Sequence, residues 1–317
     1  MKKFINKTAA FILLLILTFV CLEYSARQMY QSKSDLFIKV ASLKKVKEKV
    51  QFLAFGNSHT TASINPEHFS IPGYNLAYSS QDLYYDYKLL NLYKDIPHLE
   101  TILISLDYFS LGHDEALSGA MHLVKDYWWD LNIKPRNGYD LLFVFSLSTF
   151  YQNRKTFLKS IINQKRRLPI TTNLNKTGFR KNDQSLSKED LLTSGQNRAK
   201  LHQKIYLKYK EPEHLIILNK MLLIAKERNI NVIVFTPPYS GGYREAFSKF
   251  WLENFYGHIN KIKQENPNLI YLDYSNSDKF KLKDFRDGDH LNSTGARKLS
   301  ILLNDALINM INAKTNI

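Results

Sequence analysis

The sequence is poor in the residues that build small cross-linked and metal-bound proteins. Its 317 residues include one cysteine, Cys21, with 12 glycines and 9 prolines. A single cysteine cannot form an internal disulfide or a cysteine-rich zinc or iron–sulfur site. The histidines show no metal-ligand spacing, and there is no glycine-rich phosphate loop or internal repeat. Disulfide scaffolds and zinc fingers are excluded, and we expect neither a metal nor another cofactor.

Acidic residues are scarce relative to basic ones. The chain has 29 Asp and Glu against 44 Lys and Arg, a formal net charge of +15. Such an excess attracts polyanions, namely nucleic acid, anionic lipid headgroups or acidic glycans. Hydrophobic residues make up 44% of the chain and aromatics 13%. This composition predicts a globular domain with a sizeable core, and it excludes a disordered or fibrous chain.

One long apolar run lies at the N-terminus. Lys2, Lys3 and Lys7 precede residues 9–22, which carry no charge. Fourteen apolar residues span roughly 21 Å at about 1.5 Å per residue, so length alone leaves a signal peptide and a signal anchor open. Cleavage needs small residues at the minus three and minus one positions, and Tyr24 occupies the first of these when Ala26 occupies the second. An uncleaved anchor over residues 1–25 is favoured.

The position of the lysines predicts the orientation of the chain. Basic residues ahead of an apolar run place the N-terminus in the cytoplasm and the rest outside. We therefore expect a single-pass protein of the bacterial inner (cytoplasmic) membrane, whose C-terminal domain faces the periplasm or the cell exterior. Nucleic acid is not expected as a partner.

The rest of the chain alternates between strand and helix patterns. Residues 26–49 predict a polar stalk and an amphipathic helix, with its lysines near lipid headgroups. Within residues 50–317, β-rich runs lie at 51–56, 74–77, 101–107, 231–239 and 269–275, and helical patterns at 82–95, 213–228, 243–264 and 294–313. This alternation is typical of an α/β fold with a parallel sheet and helices on both faces.

A long insertion, about residues 111–201, follows the third predicted strand. It exceeds an ordinary crossover and holds Trp128 and Trp129, which predicts a lid or a subdomain. Residues 141–182 contain no acid. Their basic residues are Arg154, Lys155, Lys159, Lys165, Arg166, Arg167, Lys176, Arg180 and Lys181. A solvated basic face, or one lying on anionic lipid, is at least as well supported as a groove for an anionic polymer.

Residues of a nucleophilic triad stand at the ends of predicted strands. Ser58 follows the first strand, and Asp287 and His290 lie between the last strand and the last helix. The carboxyl ends of parallel strands form one edge of the sheet, where ligands bind in open α/β folds. A serine hydroxyl needs a base to take its proton, and the base needs an acid to hold its tautomer. These three side chains are the candidate catalytic residues.

The two motifs resemble those of the SGNH, or GDSL-like, hydrolase superfamily. In that family a Gly-x-Ser block after the first strand supplies the nucleophile, and an Asp-x-x-His block near the C-terminus supplies acid and base. Gly56, Asn57 and Ser58 match the first block, and Asp287 and His290 match the last. The resemblance implies a three-layer, doubly wound, flavodoxin-like sheet for residues 50–317. It also implies oxyanion or substrate contacts for Gly56 and Asn57.

The middle blocks of the family fit this chain less closely. Residues 75–80, NLAYSS, resemble the second block, which implies oxyanion or substrate roles for Asn75 and Ser80. The family's glycine falls on Ser80, whose backbone amide can still donate. The third block is normally Gly-x-Asn-Asp, but Phe109 stands where the oxyanion-binding asparagine belongs. Losing one oxyanion donor costs about 10²- to 10³-fold in rate, and slow hydrolysis suits a transferase.

The single anchor, the outward-facing domain, the missing third block and the D-x-D-H-L-N ending most resemble the envelope acyl-transfer branch. That branch includes the D-alanyl transfer protein for teichoic acids and the alginate and peptidoglycan O-acetylation proteins. The resemblance implies O-acyl transfer to, or removal from, a cell-envelope polysaccharide through an acyl-Ser58 intermediate. It implies a multispanning acyltransferase partner, and a glycan acceptor that is anionic if the basic insertion binds it. An esterase or lipase of the same fold, or a non-catalytic glycan-binding or assembly subunit, remains an alternative.

Three further polar residues lie beside these motifs. His59 is a candidate alternative base, but adjacent side chains point in different directions, so a surface or capping role is expected. Asp287 is preferred over Asp289 as the triad acid because it matches the family spacing, and Asp289 is expected to cap a loop or helix. Asp107, at the end of the third strand, can equally orient substrate or satisfy backbone amides.

Overall fold

The structure is a computed structural model that describes residues 1–31, 34–114, 121–136, 173–206 and 212–315. The chain divides into two compact units, Met1–Ile38 with Met121–Thr171, and Lys39–Ala120 with Thr172–Ile317. Of the nine basic residues of the insertion, the first six lie outside the described residues.

In chain order the elements are α1 Lys2–Gln31, α2 Asp35–Val46, β1 Phe52–Phe55, α3 Ser58–Ser63, β2 Gly73–Asn75, α4 Leu83–Tyr93, β3 Thr101–Ser105, α5 Met121–Leu131, α6 Lys188–Tyr206, α7 Pro212–Glu227, β4 Asn231–Thr236, α8 Gly241–Ala246, α9 Lys249–Glu265, β5 Ile270–Asp273 and α10 Ser293–Thr315.

The first unit contains the apolar N-terminal helix. Lys2–Ser25 of α1 is long and apolar enough to cross a membrane by length and composition, and its apolar window is not buried within the structure. A signal sequence has the same properties, so both readings of this segment remain compatible with α1. In the same unit, α5 carries Trp128 and Trp129, and Ser34 Oγ donates to Asp130 Oδ2 over 2.9 Å.

The second unit is built on a five-stranded parallel sheet in the order β2-β1-β3-β4-β5. Phe52 of β1 lies opposite Gly73 of β2 and Thr101 of β3. Helices α3 and α10 pack together, as do α4 and α7. Right-handed crossovers place these two pairs on opposite faces of the sheet. The order is the flavodoxin-like one for a doubly wound sheet, and it confirms the predicted α/β class.

The strand and helix predictions hold with two exceptions. The helix predicted over residues 243–264 is two helices, α8 and α9, because Phe247 and Ser248 have extended backbone. Helix α6 lies inside the segment predicted as an insertion, and it belongs to the same compact unit as the sheet. It packs closely on α8, where a Cβ on Gly242 would lie 2.5 Å from the Leu192 carbonyl oxygen.

The core on the α10 face explains how the C-terminal part of the chain is held near the sheet. Apolar side chains at alternate positions of the strands pack with one face of α10. They include Phe52, Ala54, Leu103, Ile233 and Phe235 from the strands and Leu299, Leu303 and Leu307 from α10. Burying such side chains contributes about 25 cal/mol per Å² of apolar surface. This packing places the loop before α10 at the carboxyl edge of the sheet.

Helix α2 is anchored by a buried lysine. Lys39 was predicted to lie near lipid headgroups with the other lysines of this segment, but its side chain is 1% exposed and the prediction is wrong for it. Its Nζ donates to the carbonyl oxygens of Asn75, at 3.1 Å, and Ala77, at 2.5 Å. These two carbonyls, at and just after the end of β2, accept two of the three ammonium hydrogen bonds of Lys39. A sequence pattern cannot reveal such remote partners.

We expect Lys39→Met to lower the free energy of unfolding by about 1.5–3 kcal/mol, because it removes hydrogen bonds from a charged donor and leaves buried carbonyls without it. Lys44→Met, on the exposed side of α2, should change it by less than about 0.5 kcal/mol. Urea unfolding of the detergent-solubilised protein measures both. Equal effects of the two changes would show that the buried contacts of Lys39 do not stabilise the fold.

Candidate active site

The turn after β1 presents Ser58 at the first position of α3. Gly56 has φ of +137°, and a Cβ there would lie 2.3 Å from Thr60 Oγ1, so a side chain is excluded on both counts. The Gly56 N–H donates to Oδ1 of the buried Asp86 side chain over 2.9 Å. Asn57 caps α3, because its Oδ1 accepts from the His59 N–H over 2.9 Å. Local backbone geometry therefore fixes the position of Ser58, the candidate nucleophile.

The loop before α10 brings His290 and Asp287 to Ser58. Ser58 Oγ lies 2.9 Å from His290 Nε2, and His290 Nδ1 lies 2.9 Å from Asp287 Oδ1. The carboxylate can only accept, so it holds the proton on Nδ1 and leaves Nε2 to accept from the serine hydroxyl. The structure thus assembles the predicted three residues into one hydrogen-bonded chain.

Asp287 is held by its own loop. Its Oδ1 also accepts from the backbone N–H of His290 over 2.9 Å, and its Oδ2 lies 3.0 Å from Arg286 Nε. Burial alone would raise the pKa of Asp287, but the hydrogen bond and charge of His290 outweigh it, and the pKa is lowered. The carboxyl is therefore ionised at neutral pH, as the acid of a triad must be. Its side chain is 27% exposed.

Directly behind the triad, His59 lies between two buried carboxylates. Its Nδ1 contacts Asp107 Oδ1, and its Nε2 lies 2.9 Å from Asp289 Oδ2. The predicted surface or capping role is wrong, because the side chain is 1% exposed and the two carboxylates that it contacts are buried. Its ring centroid is 4.6 Å from that of His290. The structure makes His59 the centre of a buried polar cluster.

The two carboxylates around His59 are held by further donors. Asp107 accepts from Asn57 Nδ2 and from the Tyr239 hydroxyl, each over 2.7 Å, so its carboxylate binds side chains, and the predicted role of satisfying backbone amides is wrong. Asp289 accepts from Arg198 Nε over 2.9 Å, so its predicted role as a simple cap is also wrong. Both carboxyl groups are fully buried.

The charges in this cluster determine its pKa values. Burial alone would lower the pKa of His59, but Asp107 and Asp289 outweigh it and raise the pKa to about 9. Burial alone would raise the pKa of Asp107 and of Asp289, but His59 lowers the first, and His290 with His59 brings the second well below its usual range. At neutral pH the cluster holds two cations, His59 and Arg198, against two carboxylates.

Four members of the site were missed in the sequence, namely Arg198, His202, Tyr239 and Tyr243. Arg198 and His202 stand at i and i+4 on α6, where the predicted insertion offered no helix pattern. Arg198 Nη2 can only donate, so His202 Nε2 accepts at 3.2 Å, and Nδ1 donates to the Tyr243 hydroxyl at 2.9 Å. Burial brings the pKa of His202 well below its usual range, so this ring is neutral. Tyr239 follows the two prolines after β4, at the carboxyl edge of the sheet. Its hydroxyl group at that edge is the sequence signal that could have identified it as a site residue.

The residues predicted for oxyanion or substrate contacts have structural partners. The Asn75 amide donates to the carbonyls of Thr60, at 2.9 Å, and Ile64, at 2.7 Å, and so joins β2 to α3. Ser80 has φ of +56°, and its carbonyl accepts from His113 Nε2 over 2.8 Å. Phe109, at the position of the family's asparagine, packs on His202 with ring centroids 4.0 Å apart. Substrate contact by Gly56, Asn57, Asn75, Ser80 or Asp107 stays a prediction.

One group of possible metal ligands occurs among the described residues. His59, Asp289 and His290 bring one ligand atom each to within 4.8 Å of one another. The ring nitrogens of His290 are directed to Ser58 and Asp287, and those of His59 to two carboxylates. A metal ligand needs a free lone pair on its nitrogen, and these nitrogens are engaged in hydrogen bonds. The geometry fits an acid–base network better than a metal centre.

Comparison with known proteins adds little to this geometry. No family model and no curated protein matches the chain. Among solved structures, a crystal structure from Bacteroides fragilis NCTC 9343, described as a candidate acylhydrolase, aligns over 82% of this chain and 88% of that chain, with 13% identity and a TM-score of 0.39. Similarity this low carries no argument about the reaction.

We expect the free energy of unfolding to fall as the pH rises from about 6.5 toward 9, because the folded protein keeps the His59 proton that the unfolded chain releases. In His59→Gln this component of the pH dependence should be missing. Urea unfolding of both proteins at about pH 6 and about pH 9 measures the difference. Equal losses of stability in the two proteins would contradict a raised pKa for His59.

Proposed function

We propose that the protein is an extracytoplasmic serine enzyme that transfers an O-acyl group to, or removes it from, a cell-envelope polysaccharide. The single observation that carries the proposal is the Ser58–His290–Asp287 chain, with both hydrogen bonds at 2.9 Å at the carboxyl edge of a parallel sheet. Such a chain activates a hydroxyl for acyl chemistry whatever the fold. The assembled triad also argues against a purely non-catalytic subunit.

The reaction has two steps. Ser58 Oγ attacks the acyl carbonyl as His290 Nε2 takes the hydroxyl proton, and Asp287 stabilises the imidazolium that forms. The tetrahedral intermediate expels the donor oxygen, which takes the proton from His290, and leaves an acyl-Ser58 ester. A polysaccharide hydroxyl then gives its proton to His290 and attacks this ester. His290 returns the proton to the departing Ser58 Oγ, which leaves the acyl group on the polysaccharide and restores the serine hydroxyl. Water in place of the hydroxyl gives hydrolysis.

The oxyanion site is expected to give slow hydrolysis, which suits a transferase. As the first residue of α3, Ser58 has an N–H with no acceptor within its helix, and we assign this N–H and that of Ser80 as donors to the oxyanion. With Phe109 in place of an asparagine, the family's third donor is lacking. The loss of one such donor costs about 10²- to 10³-fold in rate. A long-lived acyl-enzyme gives a bound sugar time to compete with water.

The location and the charge of the chain support an envelope acceptor. The apolar α1 helix supports the proposal of an uncleaved anchor in the bacterial inner membrane. Such an anchor, with lysines ahead of it, has the site facing outward and away from nucleic acid. The acyl group must then reach Ser58 from the membrane side, and a multispanning acyltransferase is the partner that supplies it. The net charge of +15 favours an anionic glycan.

We expect a fluorophosphonate to modify Ser58 stoichiometrically, with loss of fluoride, because His290 activates only this hydroxyl. Intact-mass analysis and peptide mapping of the detergent-solubilised protein measure the adduct. Ser58→Ala should give no adduct. Ser63→Ala, which changes a buried serine of the same helix, should be modified like the wild type. A folded wild-type protein that stays unmodified would sink the proposed function.

We expect an activated acetyl ester to leave a persistent acetyl group on Ser58, and an acceptor glycan to discharge it faster than water. The acetyl-enzyme is followed by intact mass in buffer alone, with alginate as the anionic acceptor, and with dextran as its neutral counterpart. Faster loss with alginate, together with acetylated polysaccharide, supports transfer. Discharge to free acetate at one rate in all three solutions identifies an esterase of the same fold instead.

A further inference from the structure

The position of His59 determines its charge. Both ring nitrogens face carboxylate oxygens, Asp107 at Nδ1 and Asp289 at Nε2. A neutral imidazole carries one N–H, so it would leave one nitrogen lone pair against a carboxylate. The doubly protonated ring donates to both. The geometry thus favours a buried imidazolium, in agreement with its raised pKa.

The second carboxylate, Asp289, has one oxygen engaged and one available. Its Oδ2 accepts from His59 Nε2 and from Arg198 Nε, each over 2.9 Å. Its Oδ1 is buried and has no hydrogen-bond partner among the described residues. That oxygen lies 3.2 Å from His290 Nδ1, the nitrogen that also faces Asp287 Oδ1 at 2.9 Å. A buried carboxylate oxygen left without a donor is costly unless it serves a partner nearby.

We propose that Asp289 is a second carboxylate for His290, and that His59 and Arg198 are positioning residues that hold it there. The Nδ1–H of His290 is then shared between two acceptors of different character. Asp287 is partly exposed and pairs with Arg286 of the same loop, whereas Asp289 is fully buried and pairs with His59 and Arg198. This inference rests on the proposed function for its catalytic meaning, but not for its geometry.

The charged groups that face His290 come from three elements. Arg286, Asp287 and Asp289 lie on its own loop, and His59 lies on α3 beside the nucleophile. Arg198 and His202 reach Asp289 from α6, the first as a cation and the second neutral. Removal of His59 takes away a cation next to the imidazole, and removal of the Asp289 charge takes away an anion. These two changes therefore act on His290 with opposite sign.

The first test is redundancy between the two carboxylates. A triad that loses its only aspartate loses about 10⁴-fold in rate. We expect Asp287→Asn and Asp289→Asn each to reduce the fluorophosphonate labelling rate of Ser58 by much less. The double variant should lose more than about tenfold beyond the product of the single losses. A full loss in Asp287→Asn alone, with no further loss in the double variant, overturns the proposal.

The second test is the pH profile of the labelling rate. In His59→Gln the acidic limb should move to higher pH, and in Asp289→Asn to lower pH, by about one pH unit in each case. His98→Gln, an exposed change at the opposite edge of the sheet, should leave the limb where it is. If these residues had a merely structural role, both variants would show a lower labelling rate at every pH, and the acidic limb would not shift in opposite directions. That result counts against the proposal.

The third test needs no catalysis. We expect downfield imidazole N–H proton signals of the wild type to show His59 doubly protonated up to about pH 9. The His290 Nδ1–H signal, which is assigned through its loss in His290→Gln, should persist in each single aspartate variant and vanish in the double one. His59 titrating near its ordinary value, or loss of the signal in Asp287→Asn alone, overturns the inference even if Ser58 reacts. If Ser58 fails to react but these signals behave as expected, the proposed function is wrong and the geometry stands.

Discussion

The structure of the site depends on the ion cluster around His59. This imidazolium joins α3, the end of β3 and the loop before α10, because its two nitrogens bind Asp107 and Asp289. Buried carboxylates are costly unless they are paired and hydrogen-bonded. Each of these carboxylates is paired with His59, and Arg198 adds a second cation to Asp289. The cluster is neutral as a whole, and it forms only when four distant parts of the chain come together, the fourth being α6 with Arg198.

The topology of the sheet explains why those parts meet. In the order β2-β1-β3-β4-β5, the connections leave β1 in one direction and β3 in the other, so a crevice opens at the carboxyl ends of these two neighbouring strands. Ser58 and His59 follow β1, and Asp107 follows β3. Helix α10 packs on the same sheet through Leu299, Leu303 and Leu307, which holds the loop with His290 above the crevice. Ser58 therefore lies next to the ion cluster.

Much of the fold was predictable because it rests on local patterns. Apolar runs such as residues 101–107 and 231–239 predict buried parallel strands, and the structure contains both. The break between α8 and α9 was not predictable, because the residues on both sides fit one helical pattern and tertiary packing sets the extended backbone at Phe247. Helix α6 was missed for a related reason. Its sequence is mostly polar and offers few apolar positions from which a helical period can be read, and it packs on α8.

The sequence by itself determined the alternation of strands and helices, the apolar N-terminal helix, and the order of Ser58, Asp287 and His290, since each follows from periodicity or from short spacing along the chain. Only the tertiary structure decided which polar residues are buried. His59 and Lys39 look like surface residues in the sequence, because their partners are remote: Asp107 and Asp289 lie 48 and 230 residues from His59, and Ala77 lies 38 residues from Lys39. A charged side chain can be buried only where the fold supplies its counter-charges or acceptors. That condition is a property of three-dimensional neighbours, and no local pattern records it.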